Sequence, residues 1–84
     1  MALPTEPVTL EVQQIEELNR KLATMRHDVN NYLMLITTAV ELIRLKPEGG
    51  ERMLNMMAEQ PAKIGAAITL FSGEMESALH ITRP

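Results

Sequence analysis

Residues 15–43, IEELNRKLATMRHDVNNYLMLITTAVELI, decide the fold. Their apolar residues recur at alternating spacings of three and four, at Ile15, Leu18, Leu22, Met25, Val29, Tyr32, Ile36, Ala39 and Ile43. That spacing puts them on one stripe of a helix and is typical of an a/d heptad seam. Proline is tolerated in a first helical turn, and neither Gly nor Pro follows Pro7 until Pro47. The pattern therefore predicts one helix over about 7–46.

The segment Pro47-Glu48-Gly49-Gly50 predicts the end of this helix and a tight reversal of the chain. A second stripe of apolar residues then predicts a helix over about 51–79. Pro61 lies inside it and removes one hydrogen bond, so we expect a kink there rather than an end. Residues 1–6 are predicted to form a flexible tail and 81–84 a second tail.

A hairpin of two long helices has one layer of contacts and leaves much of its apolar surface in water. Pairing two hairpins into a four-helix bundle buries that surface, so we expect an all-α homodimer. The stripe on the first helix is narrow before His27 and broad after it, where Leu33, Leu35, Val40 and Leu42 join it. This change divides the predicted domain, 7–80, into a coiled-coil lead-in over 7–24 and a bundle over 25–80.

Composition excludes several classes of function. The 84 residues include no Cys, which rules out disulfides and thiolate metal sites. The net charge of −3 and the scattered Lys and Arg do not favour nucleic-acid binding. No apolar run approaches the length of a membrane span and no signal-peptide pattern is present, so we expect a cytoplasmic protein without direct membrane insertion.

The polar run His27-Asp28-Val29-Asn30-Asn31 is the main candidate for chemistry. The heptad phase puts His27 at f, the position farthest from the seam, and Asn31 one turn away on the same face. A neighbouring carboxylate such as Asp28 can fix the tautomer of an imidazole and leave its other nitrogen free to attack. A solvated surface histidine is the plainer alternative. No metal site is predicted, because His27 has no second strong ligand four residues away.

The stretch Met25-Arg26-His27-Asp28-Val29-Asn30-Asn31-Tyr32-Leu33 resembles the phosphoacceptor box of sensor histidine kinases, in its His-Asp-x-Asn-Asn variant. The stretch Ile68-Thr69-Leu70-Phe71-Ser72 is similar to the one that closes the dimerisation and histidine-phosphotransfer domain of that family. The resemblance covers about 18–73. Pro61 and Gly65 in the second helix depart from the family pattern.

The resemblance implies that His27 is the phosphoacceptor of a two-component phosphorelay and that Asp28 is its acid/base partner. Asn31 matches the position that supports dephosphorylation of a receiver. Arg26 stands where a basic residue often precedes the histidine and could attract phosphate, with a solvated surface charge as the alternative. ATP and Mg²⁺ would bind a separate catalytic domain in cis or in trans, because nothing after Leu79 resembles its boxes. We therefore expect no autonomous kinase activity, whether the chain is a fragment of a larger kinase or a stand-alone phosphotransferase.

The surface around His27 predicts where a response-regulator receiver domain docks. Met34 continues the face of His27, and Asn31, Thr38 and Lys63 are expected to complete the docking surface. The other methionines are interpreted as core filler. A purely structural dimerisation coiled coil or bundle, without phosphotransfer, remains the alternative function.

Overall fold

The protein folds as a helical hairpin in the computed structural model, which describes residues 2–82. Helix α1 spans Val12–Leu45, a single 3₁₀ turn spans Pro47–Gly49, and helix α2 spans Gly50–Ala78. The only β pairing among the described residues is one isolated bridge. The all-helical class and the hairpin are thus confirmed. No helix within 2–82 has the length and hydropathy needed to cross a membrane.

The predicted start of the first helix at Pro7 is wrong, because α1 begins at Val12. Glu11 has extended backbone angles (φ −69°, ψ 153°), and its N–H donates to Oε1 of Gln14 at 2.8 Å. This contact satisfies a backbone donor at the helix end, as a capping box does. Residues 7–11 therefore do not belong to a coiled-coil lead-in.

The turn between the helices needs no special glycine geometry. The N–H of Lys46 donates to the Leu42 carbonyl at 2.8 Å, and that of Gly49 to the Lys46 carbonyl at 3.1 Å. No described glycine has a positive φ, and a Cβ added at Gly49 or Gly50 would meet nothing within 4 Å. Pro47 sets the reversal, since its ring favours the start of a short helical turn.

Helix α2 continues through Pro61, as predicted. Proline has no N–H, so the Met57 carbonyl loses its usual donor one turn later. The preceding residue, Gln60, turns its side chain back along the helix, and its Nε2 donates to the Met56 carbonyl at 2.9 Å.

The C-terminal end of α2 closes with a Schellman-type reversal. The N–H of Leu79 donates to the Met75 carbonyl at 2.9 Å, and the N–H of Ile81 to the Glu76 carbonyl at 2.8 Å. His80 supplies the left-handed residue of this motif, with φ 54°. The chain then reverses, and Thr82 and Ala2 exchange backbone hydrogen bonds of 2.6 and 2.9 Å.

The two segments predicted as tails therefore meet at the open end of the hairpin. Met1, Arg83 and Pro84, which belong to those predicted tails, lie outside the described residues.

The hairpin is one layer thick. Its principal extents are 59 × 28 × 12 Å, and the smallest is about the diameter of one helix with its side chains. The predicted seam of α1 does face α2: Ala39 is fully buried and the others are half-buried, except Ile15, which is exposed. Several large apolar side chains lie in solvent, among them Leu33, Leu35, Leu42, Leu54, Ile68, Leu70 and Met75.

Candidate functional site

His27 lies on the outer face of α1, and its side chain is exposed. The seam residues Met25 and Val29 on either side of it are half-buried against α2. The heptad prediction that His27 faces away from the seam is therefore confirmed. The cross-helix ion pair shows that Lys21 and Glu74 lie level (2.6 Å), and the same antiparallel register places His27 level with Ile68.

Asn31 is the side chain that contacts the imidazole. Its Nδ2 lies 3.2 Å from Nε2 of His27, one turn earlier on the same exposed face. An amide nitrogen only donates, so this contact is a hydrogen bond in the tautomer whose ring proton is on Nδ1 and whose Nε2 accepts. The outer face thus presents an exposed imidazole whose Nε2 lies against the side-chain amide of Asn31.

Asp28 follows His27 in sequence but lies on a different side of the helix. Adjacent helical residues are separated by about 100° around the axis. Asp28 is half-buried at the junction of the helices, and the described hydrogen bonds of the His27 ring include Asn31 but not Asp28. The structure therefore brings Asn31 and His27 together and leaves Asp28 in the adjoining groove.

That groove, here the Asp28 groove, was not predicted from the sequence. It encloses about 140 Å³ between the helices, and its apolar floor includes Met25, Leu70 and Phe71. Small residues at Thr24 and Ala67 leave room for it beside Asp28. The sequence carries one sign of the groove: Ala67 is small, whereas the neighbouring turns on the same face of α2 carry the larger Ile64 and Phe71.

Charged side chains close the groove towards the open end of the hairpin. Nζ of Lys21 lies 2.6 Å from Oε2 of Glu74 and 3.8 Å from Oε1 of Glu17. Arg20 also hydrogen-bonds Glu17 across one turn, and this bond holds the pKa of Glu17 below its ordinary value. The opposite charges alternate, so neither sign dominates this end of the groove.

The predicted docking residues Met34, Thr38 and Lys63 are all exposed. Met34 follows His27 by seven residues and Thr38 by eleven, and these helical intervals put both on the same face of α1 as His27. Arg26 is exposed as well, but helical geometry places it about 100° from His27, in the direction opposite to Asn31. The His27 face therefore joins Asn31, Met34 and Thr38, while Arg26 and Asp28 flank it on opposite sides.

No group of three or more His, Asp or Glu within residues 2–82 is arranged to hold a metal ion. Comparison with known proteins finds no matching family model, no similar curated protein and no similar solved structure.

Proposed function

We propose that this chain is the dimerisation and histidine-phosphotransfer domain of a cytoplasmic two-component signalling system, with His27 as the phosphoacceptor. The observation that carries the proposal is the exposed imidazole of His27, held by Asn31 on the outer face of a helical hairpin. A phosphoacceptor must be reached by two different proteins in turn, a phosphoryl donor and a receiver. An outward position on a rigid helix meets that requirement, whereas a core position would not.

The chemistry needs a neutral imidazole and an electrophilic phosphoryl group. A lone pair of the His27 ring forms the N–P bond while the bond from phosphorus to the leaving oxygen of ATP breaks. ATP and Mg²⁺ would be held by a kinase domain acting in cis or in trans. A receiver-domain aspartate then takes the phosphoryl group, and the N–P bond breaks as the ring nitrogen regains its lone pair. Asp28 and Arg26, on either side of His27, are proposed to assist proton transfer and phosphate binding.

The proposed homodimer buries an apolar face on the side of the hairpin away from the Asp28 groove. This apolar face consists of Ile15, Leu33, Leu54, Ile68 and Met75, all exposed in the single chain. Leu33 lies about 140° around α1 from Asp28, and Ile68 about 160° around α2 from Leu70, which lines the groove. A second copy stacked on this face would make a four-helix bundle and leave His27 accessible.

The receiver would dock on the His27 face, where Met34 and Thr38 lie about 100° and 140° around α1 from Leu33. Met34 offers an exposed apolar contact and Thr38 a hydroxyl on the same face, and the exposed Lys63 of α2 would add a positive charge. Receiver dephosphorylation is a second activity that Asn31 would support, by orienting water towards an aspartyl phosphate. Loss of dephosphorylation in Asn31→Ala, with phosphotransfer retained, would separate this activity from phosphotransfer.

A structural dimerisation bundle is the competing function, because the apolar face would form a dimer without any use of His27. The test is phosphorylation by a complete histidine kinase with labelled ATP. The chain has two histidines, so His80→Gln is a matched control for His27→Gln. We expect label on the wild type and on His80→Gln, and none on His27→Gln. Equal labelling of all three proteins would remove His27 as the acceptor, and no labelling of any would favour the structural bundle.

A further inference from the structure

We propose that Asn31 slows the reaction of His27 with a phosphoryl group, an effect called here the brake, because its amide lies against Nε2, the ring nitrogen farther from the backbone and so the easier to reach. This inference deepens the proposed function by naming what controls the same nitrogen. It rests on one contact, the 3.2 Å distance between Nδ2 of Asn31 and Nε2 of His27. The alternative, that Asn31 is only a second solvated side chain on this face, leaves that contact without a consequence.

The contact opposes attack on phosphorus because the hydrogen bond to Asn31 and the new N–P bond need the same lone pair. Nε2 has a single lone pair in the plane of the ring, and it either accepts from the amide or bonds to phosphorus. An interaction that is present in the ground state and absent in the transition state slows a reaction by its net free energy. Asn31 must therefore move away before Nε2 can react.

The brake is weak enough to be released. Both side chains are exposed, so water competes for each of them. A typical hydrogen bond of this kind contributes about 1 kcal/mol net, the equivalent of about a fivefold change in rate. Asn31 lies between His27 and the docking residues Met34 and Thr38 along the same face. A partner that engages the Asn31 amide from there would free Nε2 at the moment of docking.

The other ring nitrogen has no comparable constraint. The carboxylate nearest in sequence, Asp28, lies in the groove rather than against the ring. When Nε2 accepts from Asn31 the ring proton is on Nδ1, which can lose it to water after Nε2 has reacted. Asn31 therefore restricts Nε2 and does not hinder the loss of the proton from Nδ1.

Phosphoramidate tests the brake without any kinase. The Nε2 lone pair forms the new N–P bond, the P–N bond of phosphoramidate breaks, ammonia leaves, and the Nδ1 proton goes to water. The rate of formation of the Nε2 phosphohistidine is measured for wild type, Asn31→Ala and Asn30→Ala. Asn30 is the matched control, because it is also an exposed helical asparagine but does not contact His27. Both substitutions raise helix propensity, so both proteins should stay folded.

We expect Asn31→Ala to react about fivefold faster than wild type and Asn30→Ala to match wild type. In ¹⁵N spectra at about pH 8.5, where imidazoles are neutral, wild type should show mainly the Nδ1–H tautomer at His27, and Asn31→Ala should lose that preference. Equal rates and equal tautomers in wild type and Asn31→Ala would overturn the inference. An Nε2–H majority in wild type would overturn it too, since the amide oxygen would then face the ring.

The outcome separates the brake from the proposed function. If Asn31→Ala speeds the reaction with phosphoramidate but no kinase labels His27, the brake stands and the phosphotransfer role fails. If a kinase labels His27 while Asn31→Ala changes neither rate nor tautomer, the phosphotransfer role stands and the brake fails.

Discussion

The two halves of the hairpin differ in how much of their apolar surface the neighbouring helix buries. The open half, residues 12–27 with 68–82, has a narrow apolar stripe, a groove and a charged cross-helix pair, Lys21–Glu74. The turn half, residues 28–67, holds the two fully buried residues, Ala39 and Gln60, yet also exposes leucines such as Leu33. One neighbouring helix is enough to cover a narrow stripe, whereas a broad stripe requires a second layer. The turn half therefore needs a second layer for its leucines, and because the open half leaves Ile15, Ile68 and Met75 exposed as well, the proposed apolar face runs along both halves.

The largest effect is expected from a charge on the apolar face of the turn half. Leu33→Asp should weaken the proposed dimer by about 2–4 kcal/mol, because an unpaired carboxylate would be buried between the two hairpins. Met34→Asp is a matched control, since Met34 is adjacent, 66% exposed against 47% for Leu33, and on the His27 face. Sedimentation equilibrium measures both dissociation constants.

Met34→Asp should leave the dimer intact and slow transfer to the receiver. Identical dissociation constants for the two variants, or a folded wild-type monomer at micromolar concentration, would contradict the assignment of the apolar face.

A smaller effect is expected inside the turn half at Gln60. This residue is 1% exposed, and its Oε1 has no hydrogen-bond partner. A buried acceptor without a partner costs about 1–3 kcal/mol, so Gln60→Met should raise the free energy of unfolding by about 1–2 kcal/mol. Denaturant titration measures the change, with the exposed Gln13→Met as control. Destabilisation instead would mean that a donor, such as one from a second copy, reaches this oxygen in solution.

The open half contains a strained backbone conformation at His80, whose φ is 54°. A left-handed conformation costs a non-glycine residue about 1 kcal/mol or more, so His80→Gly should raise the melting temperature. His80→Ala keeps a Cβ in the same conformation and should give no such gain. Equal melting temperatures for the two variants would argue that the reversal after α2 is not held in this geometry.

The smallest effect is expected from the ion pair that closes the open half. The Lys21 and Glu74 side chains are 32% and 41% exposed, and pairs of this exposure contribute about 0.2–1 kcal/mol. A double-mutant cycle with Lys21→Met and Glu74→Gln should give a coupling free energy in that range that falls as salt is added. A coupling above about 2 kcal/mol would mean that this half is far less solvated than its exposure indicates.

Much of the hairpin was predictable because it depends on regular geometry. The heptad spacing identified the buried face of α1, and the position of Pro47 fixed the turn. A constant rise per residue and the position of the turn together imply the antiparallel register of the two helices. The exposure of His27 followed from its f position, without any knowledge of the neighbouring helix.

Individual polar contacts were not predictable in the same way. At the start of α1, the side-chain amide oxygen of Gln14 accepts a hydrogen bond from the N–H of Glu11. The spacing of apolar residues cannot predict such a bond. Gln60 is polar, so no apolar pattern could mark it as buried. Adjacency in sequence also did not show that Asp28 lines a groove, since a helix turns adjacent residues about 100° apart.

The sequence by itself determined that this protein is a helical hairpin with an outward-facing His27, since both follow from periodicity and the turn. Only the tertiary structure decided that Asp28 lines the groove and that the segments around Ala2 and Thr82 meet. Those outcomes depend on directions around two helix axes and on single hydrogen bonds, which are set only when the helices have packed.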